Sequence, residues 1–231
     1  MNESSTIGFE NEYELKILIK RVIKKVKKYA YLCLKRILDI TIAIIGLILT
    51  SPIFLITAIL IKKEDAGKVF LTQKRICKNG KEFNLYKFRS MVPNADAILM
   101  EMLKDPKIEE EYKRSMKLVN DPRITKIGKF IRKTSIDELP QLVNVLIGNM
   151  SLIGNRPYLP REKDDMGSYY HEIIKTKPGI TGHWQTSGRS KVSFRDRLIL
   201  ESYYSKHMSL SFDIKIFFKT FEVVLLRRGA E

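Results

Sequence analysis

The chain has 231 residues, enough for one large domain or one domain with a short appendage, and too many for a disulfide-stapled miniprotein. A hydrophobic share of 44% and a charged share of 29% exclude wholesale disorder, and a net charge of +16 draws the chain toward phosphates on nucleotides, lipid headgroups or nucleic acid. Cys33 and Cys77 have no CxxC spacing, which argues against a disulfide framework or a thiolate metal site and fits a reducing, cytosol-facing location.

The first dozen residues read as a polar tail. Residues 13–36 hold nine Lys/Arg and one Glu, with Leu15, Leu18, Ile19, Val22, Ile23, Val26 and Tyr29 at helical spacing. This is a basic amphipathic helix suited to an anionic membrane surface. Ile40 to Ile61 then runs 22 positions without a charge. At helical rise that is roughly 33 Å, enough to cross hydrocarbon. Pro52, preceded by Ser51, removes a backbone hydrogen bond near its centre and predicts a bend, which the Ser51 hydroxyl can partly satisfy. Lys35 and Arg36 before the run and Lys62 and Lys63 after it give no preferred orientation. A Pro-kinked single pass and a re-entrant helix both satisfy these residues.

From Lys68 the composition becomes globular. VFLTQKRI and KEFNLYKF flank Lys78-Asn79-Gly80-Lys81, predicting a β-hairpin with a tight primed turn. Residues 94–118 predict helix interrupted at Pro106, and Asp121-Pro122 marks a turn. Residues 124–133 and 137–147 predict two helices hinged at Thr134-Ser135, the second ending at Gly148-Asn149. Residues 154–191 read as binding loops, and 195–228 as a helical, interfacial segment.

The chemistry concentrates in a few short motifs. Asp137 and Glu138 sit at a helix start just after Arg132 and Lys133, where dipole and cations favour an ionised carboxylate. Either Ser135 with Glu138 forms a capping box or Asp137 is itself the N-cap. Lys87 and Arg89 alternate on an extended segment and can grip a phosphate pair, or edge a solvated strand. Asp121-Pro122-Arg123 reads as a local ion pair, and Gly154-Asn155-Arg156-Pro157 as a rigid arginine-bearing loop. No GxxxxGKS/T, GxGxxG, HExxH or GxSxG is present, and His171, His183 and His207 lack metal-ligand spacing.

Ser51-Pro52, KFRSM, DPRIT, FIRKTSIDELPQL, IGNRP, KPGITGHWQTSGR and SLSFDIKIFFKT, in that order, resemble the bacterial sugar transferase family, the monotopic polyprenyl-phosphate phosphoglycosyl transferases, over about residues 35–226. The resemblance implies a mainly α fold with a small β-hairpin. A basic extension (1–35) precedes a re-entrant membrane helix (36–63) broken at Ser51-Pro52, and then a compact cytosolic α/β catalytic domain (64–231) with an interfacial C-terminal helix. It implies Asp137 as nucleophile toward a UDP-sugar and polyprenyl phosphate as acceptor. Glu138 acts through Mg²⁺, with Asp137 as the second candidate ligand, while Arg132, Lys87, Arg89, Arg123, Arg156 and Arg189 contact phosphate or substrate. The implied setting is the cytosolic face of a bacterial plasma membrane, among anionic lipids, with no nucleic acid and with a homodimer allowed. Asn155 stands where the family has the first proline of Pro-Arg-Pro, which predicts a looser loop. The competing reading, a membrane-anchored basic protein binding nucleic acid or anionic lipid, needs only the charge.

Overall fold

Between Phe9 and Ile45 neither glycine nor proline interrupts the chain, and the result is a single long helix, α1 (Glu3–Asp65). The computed structural model describes residues 3–115, 118–188 and 192–225. The chain divides into two units, Met1–Leu38 and Asp39–Glu231. The described part of the first is helix throughout.

Within the second unit, α1 continues through Pro52. Proline has no N–H for the carbonyl four residues back, that of Ile48. The Ser51 hydroxyl donates to that carbonyl at 2.8 Å, and Thr50 Oγ1 donates to Gly46 O at 2.6 Å. One side of the helix is buried against the rest of the unit. Ala43 joins Phe83, Leu85, Leu142, Val145 and Met150 in one core cluster, while Ile61 joins Phe88 and Ile131 in another that Phe54 borders. The other side leaves Ile44, Ile45, Ile48, Leu49, Leu55 and Ile56 exposed.

Hydrogen bonds fix both ends of this segment. The buried Asp39 carboxylate accepts from Ser151 Oγ at 3.0 Å and from the Leu152 N–H at 2.9 Å. At the far end Asp65 pairs with Arg89, and Glu64 accepts from the Ile127 N–H at 3.1 Å.

Strands β1 (Phe70–Ile76) and β2 (Glu82–Phe88) form the expected antiparallel hairpin, in the register Phe70↔Phe88 to Ile76↔Glu82. The tight turn is not formed. That register leaves residues 77–81 as the connection, closed by the Cys77 N–H to Lys81 O at 2.6 Å. Asn79 and Gly80 take positive φ as a primed turn would require, but the Asn79 N–H is drawn to Ile174 O at 2.7 Å, opening the loop.

Helices α2 (Ala95–Met102) and α3 (Pro106–Ser115) break at Pro106 as expected. Thr125 caps α4 (Lys126–Lys133) by accepting from the Gly128 N–H, and a 3-10 turn (Ile136–Glu138) leads into α5 (Gln141–Leu146). Within the loop-rich stretch lies a parallel pair the sequence did not suggest, β3 (Ser151–Ile153) with β4 (Gly179–Thr181). Glycine is required there because a Cβ on Gly179 would lie 2.1 Å from the Gly154 backbone nitrogen. Helices α6 (Tyr170–Ile173) and α7 (His183–Thr186) precede α8 (Phe194–His207) and α9 (Leu210–Leu225), so the C-terminal helical rhythm belongs to two helices.

Asp39→Ala removes the acceptor for two donors at a buried position. It should lower stability by about 2 kcal/mol, read as a drop in the thermal unfolding midpoint of the detergent-solubilised protein.

Candidate active site

Asn144 sets the frame of the site. Its side chain acts as an extra strand partner for β2, accepting from the Tyr86 N–H at 2.9 Å and donating to Asn84 O at 2.7 Å. The turn carrying Asp137 and Glu138 lies just before α5, and Lys87 is the residue after Tyr86. Clamping α5 to β2 therefore brings the lysine to the carboxylates. Lys87 Nζ lies 2.8 Å from Glu138 Oε1 and 3.8 Å from Asp137 Oδ2.

The turn is not built as either capping reading predicts. Ser135 takes a left-handed φ of 58° with no side-chain cap bond, Asp137 sits inside the 3-10 turn, and Pro140 takes the N-cap position of α5. Proline early in α5 forfeits only an N–H that had no helical partner.

Asp137 is buried, at 8% exposure. Burial pushes its carboxyl up to about 6, and Glu138 adds to the rise, while Lys87 and Arg132 pull the other way. The cations thus moderate the effect of burial and do not reverse it, contrary to the sequence expectation. Desolvation of an almost enclosed oxygen outweighs a lysine that is itself shared with Glu138.

The other cations divide into two groups. Arg132 is exposed and acts on Asp137. Arg156 lies on the loop after β3: its N–H donates to Glu201 Oε1 at 2.7 Å and its guanidinium meets Glu162 Oε1 at 3.4 Å. Arg89 and Arg123 are already engaged. Arg89 is held by Asp65, Lys68 O and Met91 O, and Asp65 is drawn down to about 2 by that arginine. Arg123 is buried and bonds Asp121 through Nε at 2.8 Å and a terminal nitrogen at 2.6 Å, the local ion pair its spacing suggests. Arg189 lies outside the described residues.

Asn155 does not loosen its loop. Its buried amide nitrogen lies 2.7 Å from Ser205 Oγ and 3.2 Å from both Ile173 O and Thr176 Oγ1, bonds that tie the loop to α6, the turn after it and α8.

The sequence reading missed the residues that hold Arg156. Glu201 is fully buried and pushed up to about 7 by that burial, against the pull of Tyr158, the Arg156 N–H and Arg197. Arg75 on β1 donates to Pro157 O at 2.9 Å, and burial beside Arg156 lowers it to about 10. Arg197 stacks 4.3 Å from the Trp184 ring centre. A signal was present: Glu201 is three residues from Leu198 on a helix, a carboxylate on the stripe that has to be buried.

Residues 30–227 match the bacterial sugar transferase family. The chain belongs to that family. It is 44% identical over 219 residues to the undecaprenyl-phosphate galactose phosphotransferase of Salmonella typhimurium, covering 93% of this chain and 45% of that one. It is 42% identical over 197 residues to the exopolysaccharide production protein ExoY of Sinorhizobium fredii, covering 85% and 87%. The UDP-galactose-lipid carrier transferase of Erwinia amylovora is 43% identical over 215 residues, covering 93% and 45%. The chain therefore spans under half the length of two of these three relatives.

Among the described residues no group of three or more His, Cys, Asp or Glu gathers. The adjacent carboxylates of Asp137 and Glu138 are of the kind that suits Mg²⁺, an ion that is commonly held by one or two carboxylates and completed by substrate phosphate and water.

Because Asp137 binds its proton more tightly in the folded chain than in the unfolded one, ionising it costs stability as pH rises from about 4 to 6. Asp137→Asn should be more stable than the parent by roughly 3 kcal/mol at pH 8. That gain should shrink as pH falls through 6 and vanish below about pH 3 in denaturant unfolding curves.

Proposed function

We propose that this chain transfers a sugar 1-phosphate from a UDP-sugar to a polyprenyl phosphate, initiating assembly of a polysaccharide or glycoconjugate at the cytosolic face of a bacterial plasma membrane. What carries this reading is a buried carboxylate, Asp137, with an ammonium and a second carboxylate beside it, in a chain of this family. The names of the Salmonella and Erwinia relatives supply the substrate classes.

An Asp137 oxygen attacks the β-phosphorus of the donor. The new P–O bond forms as the bond from that phosphorus to the bridging oxygen breaks, its electron pair leaving on UMP. A polyprenyl phosphate oxygen then attacks the same phosphorus and releases the Asp137 carboxylate. Lys87 and Arg132 lower the repulsion between carboxylate and diphosphate, and Arg156, fixed by Glu201 and Glu162, is placed to orient the donor. Glu138, with Asp137, would hold Mg²⁺, which supplies Lewis-acid neutralisation of the diphosphate. Burial around Asp137 strips it of water, which makes an ionised oxygen a stronger nucleophile.

Incubating the purified protein with Mg²⁺ and single UDP-sugars, without lipid, should add one hexose phosphate or acetamidohexose phosphate to the intact mass, mapping to Asp137. Asp137→Asn should show no adduct. An adduct elsewhere, or full turnover by the variant, would remove the nucleophile assignment. The rate of adduct formation should fall about tenfold per pH unit below about 6, where Asp137 takes up its proton.

The membrane segment belongs to the same proposal as a re-entrant helix. Asp39 and Asp65, just outside the two ends of the uncharged run, are both bonded to residues of one folded unit. A straight crossing would separate those anchors by about 30 Å of hydrocarbon. With Cys77→Ser as background, native Cys33 and a Lys63→Cys label should both react with an impermeant maleimide from the cytosolic side. Reaction from opposite sides would mean a single pass.

A further inference from the structure

The N-terminal segment performs none of the chemistry above, and residues 14–29 precede the family match, which starts at residue 30. Over residues 14–30 it is a helix with seven Lys/Arg and one Glu. Leu15, Leu18, Ile19, Val22, Ile23, Val26 and Tyr29 fall on one side and are 47–68% exposed, unlike the apolar residues of any core. At 100° per residue these side chains, with Ala30, fill an arc of roughly 140°. Lys16, Lys20, Arg21, Lys24, Lys25, Lys27 and Lys28 occupy the remainder, together with Glu14 and a single apolar residue, Ile17.

We infer that this helix is an in-plane sensor of anionic lipid, separate from the catalytic site. Two properties select the occupant. The concentration of cations calls for an anionic surface, and the continuous apolar stripe calls for hydrocarbon beside that charge; a bilayer rich in anionic headgroups offers both within one helix radius. Nucleic acid would satisfy the charge and leave the stripe in water. A second copy of the helix would cover the stripe but bring two sets of seven cations together. The uncharged run that follows in the same helix is long and apolar enough to enter a bilayer.

Lipid contact orders the helix by burying the stripe at the boundary of headgroups and acyl chains, with the lysine stems reaching outward to the phosphates. Each cation near an anionic surface contributes about a fivefold preference for the membrane. Recruitment of this segment therefore depends steeply on the fraction of anionic lipid and on salt.

The test uses the full chain in nanodiscs, with Cys33→Ser and Cys77→Ser and one spin label at a time. Labels at positions 18 and 22 report the apolar side, and labels at 20 and 24 the basic side. In discs with a third anionic phosphatidylglycerol, the apolar-side labels should gain at least threefold in oxygen over nickel-chelate accessibility relative to the basic-side labels. In pure phosphatidylcholine that contrast should disappear. Lys25→Gln with Lys27→Gln and Lys28→Gln should reduce it in anionic discs and leave adduct formation from the UDP-sugar unchanged. Water-like accessibility at all four positions in anionic discs would overturn the inference, as would equal contrast in both lipids. Dipolar broadening between labels of two chains would instead identify a second copy as the occupant. Because adduct formation is read separately, failure of the lipid assignment and failure of the transferase assignment are distinguishable.

Discussion

Helix α1 has to serve two solvents at once. One side of its uncharged run supplies Ala43 and Ile61 to the two core clusters that β2, α4 and α5 also build, so the catalytic unit has no complete core without it. The other side exposes large aliphatic residues that only hydrocarbon would accommodate without cost. The uncharged run is therefore a structural element of the fold and not a tether. On the proposed reading, whatever fixes the helix in a bilayer also fixes the height of Asp137 and Glu138 above the lipid.

The electrostatics of the site follow from its burial. Burial raises the Asp137 carboxyl, and Lys87, shared between Asp137 and Glu138, pulls it part of the way back. The lysine's position comes from Asn144, a neutral side chain that touches no proposed substrate and ties β2 to α5 through two hydrogen bonds. The arginine loop is built the same way, with Glu162 and Glu201 buried so that Arg156 is fixed before any ligand arrives.

Much of this was legible from local pattern. The break at Pro106, the paired strands and the uncharged run all rest on short-range rules, and the ordered motifs marked the dyad. What escaped depended on contacts distant in sequence. Asp137 was expected to be ionised by its neighbours, because spacing reveals nearby cations and not how far the turn sinks into the protein. Arg89 looked like a phosphate ligand beside its motif, and only the fold shows Asp65 engaging it, whereas the Asp121–Arg123 pair was readable from its spacing. The parallel pairing of β3 with β4 joins residues far apart in sequence through three-residue strands too short to show any alternation.

Asn155 carries a consequence for how such a sequence can change. Its amide nitrogen is within bonding distance of Ser205, Thr176 and the Ile173 carbonyl, whereas a proline at that position donates nothing. Exchanging one for the other is therefore not a single neutral step, since the loop would lose the side-chain bonds that tie it to α6 and α8. The position should drift only together with its neighbours on α6 and α8. A proline there would have to hold the arginine loop through its ring, whereas this chain holds it through a side-chain amide.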